Sequence, residues 1–115
     1  MNEVEARWSG VLQVQTTVDD RGVAASIAQA LVDERLAACV QVLGPIESTY
    51  RWEGAVEVAT EWLLLVKTTE EAWPALSARI RALHPYRQPE LIALPVARGS
   101  DGYLGWLRSE VVAPR

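Results

Sequence analysis

Apolar and polar positions alternate with two different periods along the first third of the chain. Residues 9–18 alternate among Val, Leu, Gln and Thr, and this period of two predicts a strand. A helix to about Arg35 follows, because apolar residues then recur on one face at helical spacing. Those apolar residues are Val23, Ile27, Ala30 and Leu31. Asp19 and Asp20 precede them and can cap the helix.

Two long extended segments joined by a tight turn occupy the middle of the chain. Residues 38–43 predict a short apolar strand that stops at Gly44-Pro45, and residues 46–52 resume the extended pattern. Glu53-Gly54 predicts a hairpin turn. Residues 55–68 then predict one long strand. The hairpin arms therefore exceed the usual strand length of about 5–6 residues.

The last third of the chain predicts a second helix, a fourth strand and a short final helix. Thr68-Thr69-Glu70-Glu71 fits a capping box that would begin the second helix. The buried face of that helix is expected to carry Trp73, Leu76, Ile80 and Leu83. Residues 90–96 predict a strand, and Pro95 indicates a sheet edge or a strand end. Ser100-Asp101 can cap the final helix.

The order of these elements is that of a split βαβ unit, so we predict an α+β, ferredoxin-like βαββαβ sandwich with a short C-terminal helix. Residues 1–8 are expected to form a flexible tail, and residues 9–115 a single domain. The long central hairpin would overshoot its own sheet and leave backbone groups unpaired. Pairing in a closed ring with further copies of the chain would cover them, which predicts a homo-oligomer.

Composition and charge narrow the classes of function. The chain has 115 residues, of which half are hydrophobic, and a formal net charge of −4 with scattered basic residues, which argues against nucleic-acid binding. No apolar run reaches the ~20 residues of a membrane span. The acidic start does not resemble a signal peptide, and the one cysteine excludes an intramolecular disulfide. A cytoplasmic protein without membrane or nucleic-acid partners is expected.

The segment from Leu83 to Glu90 holds the only histidine of the chain, between a predicted helix and a predicted strand. Its two prolines fix the backbone on both sides of Tyr86, which would present His84 and Glu90 in one arrangement, although the prolines could simply end the helix. Imidazole suits Cu or Zn and a thiolate suits Cu(I), so His84, Cys39 and Glu90 are the candidate metal ligands. The simpler interpretations are that His84 caps its helix and that Cys39 is buried in the core.

Lys67 follows an apolar run, so its stem should be buried and its ammonium should have a carboxylate partner. Glu61 and Glu90 are the candidates, and a structural ion pair is the simpler interpretation of such a contact. No nucleophile elbow, phosphate loop or glycine-rich fingerprint occurs. The only asparagine is Asn2, which argues against an acylphosphatase site, and we expect a protein that is not an enzyme.

Five segments in a fixed order resemble the CutA family of divalent-cation tolerance proteins. They are Glu34–Val40, Ser48–Gly54, Glu61–Thr68, Leu83–Glu90 and Tyr103–Leu107. The resemblance implies a homotrimer of ferredoxin-like subunits joined through the long hairpin strands, with an architecture like that of the PII-like signalling trimers. It also implies the binding of copper or another divalent cation, with no obligatory cofactor, and a role in metal tolerance. Some relatives carry a further cysteine where this chain has the sequence Gln15-Thr16-Thr17-Val18, which weakens the prediction of a multi-thiolate copper site.

The resemblance further implies a cleft at the subunit boundary. Its predicted members are Tyr50, Trp52, Glu61, Lys67, Tyr86, Tyr103 and Trp106. Our first interpretation is a trimer that binds copper or another divalent cation through His84, carboxylates and, less centrally, Cys39. The alternative is a PII-like regulatory trimer whose cleft binds a small metabolite and signals to a protein partner.

Overall fold

The computed structural model describes residues 8–112, which form one four-stranded antiparallel sheet and three helices. The elements are β1 (Val11–Val18), α1 (Arg21–Asp33), β2 (Cys39–Trp52), β3 (Ala55–Thr69), α2 (Trp73–Leu83), β4 (Ile92–Val96) and α3 (Asp101–Glu110). The strand order is β2-β3-β1-β4, and all neighbouring strands are antiparallel. This arrangement confirms the predicted ferredoxin-like α+β fold.

The main core lies between one face of the sheet and the helices α1 and α2. Its fully buried members include Val14 and Val18 from β1 and Leu64 from β3, with Ile27 of α1 and Ile80 of α2 opposite them. The even-numbered residues of β1 and β3 thus point to the helices, as the strand period of two requires. A second, smaller cluster places α3 against the start of β1. It contains Val11, Ala72, Leu104, Leu107 and Val111.

Several boundaries differ from those that the sequence pattern predicts. β2 does not stop at Gly44-Pro45 but continues through it, with a shift of register between Leu43 and Ile46. Gly44 is required there, since a Cβ atom at this position would overlap the indole ring of Trp62. The turn at Glu53-Gly54 is confirmed, and both residues have positive φ angles, 49° and 83°.

The first residues of α2 and of β4 also differ from those that the sequence predicts. α2 begins at Trp73 rather than at the predicted capping box, and Ala72 is its N-cap. The hydroxyl of Thr69 instead accepts a hydrogen bond of 3.3 Å from the Ala72 N–H, so it holds the turn that precedes the helix. β4 begins at Ile92 and forms a sheet edge, as Pro95 predicts.

The predicted tail overlaps the described residues only at its last position. Residues 1–7 lie outside the part of the chain that the structure describes, but Trp8 is half-buried and packs against the main core. Trp8 therefore contacts the core of the domain, and the division into a tail of residues 1–8 and a domain of residues 9–115 stays a prediction. Within residues 8–112, none of the helices is long and apolar enough to cross a membrane.

Two buried threonines on the helix-facing side of the sheet provide a matched test of core polarity. The hydroxyl of Thr16 is fully buried and has no hydrogen-bond partner among the described residues, whereas that of Thr68 donates to the Leu36 carbonyl at 2.7 Å. We predict that Thr16→Val raises the free energy of unfolding by about 1–2 kcal/mol, because it removes an unpaired buried hydroxyl. Thr68→Val should lower it by about 1 kcal/mol.

Urea unfolding of the two variants and the wild type, at one protein concentration, checks this prediction. Both substitutions exchange a hydroxyl for a methyl group in the same layer, so their opposite signs would isolate the effect of the hydrogen bond. A loss of stability in Thr16→Val would contradict it.

Candidate functional site

The connection between α2 and β4 presents the histidine and tyrosine of the candidate site. α2 ends at Leu83, and His84 is its C-cap, with an extended backbone and an N–H that donates to the Ile80 carbonyl at 2.8 Å. Pro85 and Pro89 lack an N–H and cannot continue the helix. His84 therefore lies at the C-terminal end of α2, as the sequence predicts, but its backbone rather than its imidazole bonds to the helix.

The imidazole of His84 is buried, with 7% of the residue exposed, and both of its ring nitrogens have partners. Nε2 lies 2.8 Å from the Thr17 carbonyl oxygen, and Nδ1 accepts a hydrogen bond of 3.1 Å from the Tyr86 N–H. A neutral ring with its proton on Nε2 satisfies both contacts. His84 thus ties the α2–β4 connection to the end of β1, and a metal ion would have to displace one of these bonds.

Tyr86 extends the same network to the long hairpin. Its hydroxyl donates a hydrogen bond of 2.7 Å to Oε2 of Glu61, and its ring meets that of His84 edge-on at 4.7 Å between centroids. Glu61 is itself only 6% exposed. Burial raises the pKa of Tyr86 above its ordinary range, and the neighbouring Glu61 carboxylate raises it further. A series of hydrogen bonds therefore links β1, the α2–β4 connection and β3, running from Thr17 through His84 and Tyr86 to Glu61.

The three predicted metal ligands are not assembled within one chain. Cys39 is half-buried at the start of β2, and Glu90 is exposed after Pro89. Across residues 8–112, no group of three or more His, Cys, Asp or Glu side chains is placed to hold a metal ion. His84, Cys39 and Glu90 thus do not form a common site in the isolated subunit.

Lys67 does not have the expected carboxylate partner. Its ammonium donates to Oε1 of Gln41 at 2.9 Å, and the ion pairs among residues 8–112 are instead Arg35–Glu110 and Arg79–Glu34. The prediction of a pair with Glu61 or Glu90 within the chain is wrong. Glu61 points to the same side of β3, but six residues separate it from Lys67, a distance of about 20 Å along a strand.

The remaining predicted cleft residues lie on two elements. Tyr50 and Trp52 are exposed on the outer part of β2. Tyr103 and Trp106 are exposed on α3, where their rings lie 5.6 Å apart between centroids. The structure therefore brings Glu61 to Tyr86 and Tyr103 to Trp106, and the assembly of all seven residues in one cleft stays a prediction.

A surface that the sequence analysis did not single out is the sheet face opposite α1 and α2. The registers place three rows of side chains across it: Cys39, Lys67, Gln13 and Leu94; then Gln41, Leu65, Gln15 and Ile92; then Leu43, Leu63 and Thr17. Leu43, Ile92 and Leu94 remain 44%, 47% and 44% exposed. The signal in the sequence is the solid apolar run in β3, since a strand with one solvated face alternates with polar residues. We call this surface the open face.

Taken together, the fold and this surface define a small ferredoxin-like α+β subunit with an apolar open face. Residues 12–110 match the family described as CutA1 divalent ion tolerance protein. A divalent-cation tolerance protein CutA of Thermus thermophilus is 55% identical over 95 residues, which are 83% of this chain and 92% of that protein. The chain belongs to the CutA1 family.

Solved structures and eukaryotic relatives extend the comparison. The solved structure of the divalent cation tolerance protein from Thermus thermophilus has a TM-score of 0.87 and 51% identity, covering 89% of this chain and 99% of that one. CutA from Xylella fastidiosa has a TM-score of 0.87 and 44% identity, covering 90% and 99%. The human protein CutA is 45% identical over 92 residues, 80% of this chain, and the chain spans 51% of its length.

The contact between Tyr86 and Glu61 predicts a specific pH dependence. The pKa of Tyr86 is higher in the folded than in the unfolded state, so its contribution to stability is fully present below the unfolded pKa of about 10. That contribution is lost as the pH rises from there towards the folded-state pKa. We predict that the advantage of the wild type over Tyr86→Phe in free energy of unfolding shrinks from about pH 9 to about pH 11.

Denaturant unfolding of both proteins at several pH values measures this difference. Tyr50 and Tyr103 are present in both proteins, so the comparison isolates the substitution at Tyr86. A difference that stays constant or grows across this range would contradict the assigned contact.

Proposed function

We propose that the protein is a non-enzymatic homotrimer that binds divalent cations and contributes to metal-ion tolerance. The observation that carries the proposal is the match of residues 12–110 to the CutA1 divalent ion tolerance family, together with a relative named for that tolerance at 55% identity. Copper is the cation to test first, since the chain offers a thiol, and thiolates are ligands for copper.

The proposed assembly is supported by surfaces that are unfavourable in a single subunit. The open face exposes three large apolar side chains, and the outer hairpin exposes Val56 and Val58. β2 is also a long sheet edge of 14 residues. Edges and apolar faces of this size favour association, and a closed ring covers them without forming a fibre.

The proposed cation binding has to be shared between subunits. Within residues 8–112 the potential ligands do not form a group of three, and both ring nitrogens of His84 are already bonded. Cys39 and Glu90 are the candidate ligands whose side chains keep access to solvent. A site that uses them needs a second subunit or water molecules, so modest affinity is expected.

The proposed location is the cytoplasm, where a reducing environment would keep the thiol of Cys39 free. Relatives differ in this respect: the protein CutA of Arabidopsis thaliana is described as chloroplastic and that of Archaeoglobus fulgidus as periplasmic. Location is therefore a property of the individual chain rather than of the family.

The trimer is tested with a charge on the open face. We predict that Ile92→Lys converts the protein from a trimer of about 38 kDa to smaller species, because it buries an unpaired ammonium in the proposed interface. Val32→Lys is the matched control, since Val32 is also an exposed aliphatic residue but lies on α1. Sedimentation velocity measures both variants. A trimer unaffected by Ile92→Lys, or a monomeric wild type, would contradict the assignment.

The cation binding is tested by titrating untagged protein with Zn²⁺, with Cu²⁺ and, in the absence of oxygen, with Cu⁺, in calorimetry and native mass spectrometry. We predict that Cys39→Ser and Glu90→Gln each weaken binding roughly tenfold or more, as expected for a lost ligand. Glu71→Gln is the control, because Glu71 is an exposed carboxylate outside the candidate set. No bound cation in the wild type, or equal loss in the control, would rule out this mode of binding.

A further inference from the structure

Glu61 is a nearly buried carboxylate without a cation. Only 6% of the residue is exposed, and its hydrogen-bond partner among residues 8–112 is the neutral hydroxyl of Tyr86, which binds Oε2. No lysine, arginine or histidine of the described chain lies within 4 Å of its oxygens. A buried charge that lacks an opposite charge is strongly destabilising, so a cation from outside the subunit would be favourable here.

Lys67 is a half-buried cation without a carboxylate partner among residues 8–112. Its side chain is half-buried on the open face, and one of its three N–H donors binds the neutral Gln41 at 2.9 Å. No carboxylate among residues 8–112 lies within 4 Å of the ammonium. Its neighbours across the sheet, Cys39 and Gln13, are uncharged residues, and Leu94 follows in the same row.

The two unmatched charges lie on the same side of β3 but in different surroundings. Lys67 lies where β3 is flanked by both β2 and β1. Glu61 lies just beyond the last residue pair between β1 and β3, Val18 with Trp62, where the hairpin leaves the sheet. About 20 Å of strand separates them, so they cannot meet within one subunit.

We propose that Glu61 of one subunit forms an ion pair with Lys67 of the neighbouring subunit, repeated around the ring. The inference rests on the proposed homotrimer. In a cyclic assembly, a patch on one copy meets a different patch on the next, so the base of one hairpin can face the open face of its neighbour. The pairing leaves neither charge unmatched, and the partner is a second copy of this chain.

Both groups are held in position before they meet. The Tyr86 hydroxyl fixes one oxygen of Glu61 and leaves the other free, while Gln41 holds one donor of Lys67 and leaves two. Side chains that are already ordered lose little entropy on binding, and the additional hydrogen bonds help to offset the desolvation of the two charges. The tyrosine is therefore a positioning residue for the subunit contact.

The test is a double-mutant cycle on subunit dissociation. Glu61→Gln keeps an oxygen for the Tyr86 hydroxyl, Lys67→Met keeps the length of the side chain, and the double variant combines them. Glu71→Gln is the control, because Glu71 is an exposed carboxylate in the turn before α2, outside the hairpin and the open face. Sedimentation equilibrium at low ionic strength, in the urea concentration at which the wild-type trimer partly dissociates, gives the dissociation constants.

We expect each single variant to raise the dissociation constant of the trimer roughly tenfold or more. The dissociation constant of the double variant should not exceed that of the single variant that dissociates more readily. Lys67→Arg should retain most of the affinity because it retains the charge, which also separates loss of the pair from misfolding. Additive effects of the two substitutions, or no effect of either, would overturn the proposed pair. A monomeric wild type would overturn the trimer itself. The same measurement on the wild type, without denaturant, therefore distinguishes failure of the trimer from failure of the ion pair.

Discussion

The structure is governed by the one-sided coverage of its sheet. Two helices bury the even-numbered residues of β1 and β3, and this layer holds the main core. The opposite face is also rich in apolar residues, yet Leu43, Ile92 and Leu94 stay exposed on it. A sheet whose two faces are both apolar is stable only when both are covered. The long hairpin and the unmatched charges on β3 are explained by this constraint, because both would be covered when another subunit packs on the open face.

The histidine that the sequence makes most conspicuous has a structural explanation. Its ring nitrogens join the Thr17 carbonyl to the Tyr86 N–H, so it fixes the connection that carries Tyr86. Tyr86 in turn holds Glu61 at the base of the hairpin. The α2–β4 connection is thus rigid because of long-range hydrogen bonds as well as its prolines. Its tyrosine belongs to a polar contact between layers of the fold.

The sequence predicted what depends on local periodicity and missed what depends on long-range contacts. The element order, the Asp20 and Ser100 caps and the Glu53-Gly54 turn are confirmed, since each follows from a few adjacent residues. The capping box at Thr68 failed because Thr68 and Thr69 belong to β3, and the hydroxyl of Thr68 binds the Leu36 carbonyl instead. The partners of His84 and Lys67 could not be predicted, because strand register decides which distant side chains meet.

The proposed cation binding is best understood as a property of the proposed assembly. One described subunit lacks a group of three ligands, so a cation bound with useful affinity would take ligands from neighbouring subunits. A ligand that binds only the assembled form stabilises it in proportion to the logarithm of ligand concentration over its dissociation constant. Cation binding and trimer stability would then strengthen each other by the same factor. Variants of the subunit contact would therefore alter cation affinity without touching any ligand, which connects the Glu61–Lys67 pair to the proposed function.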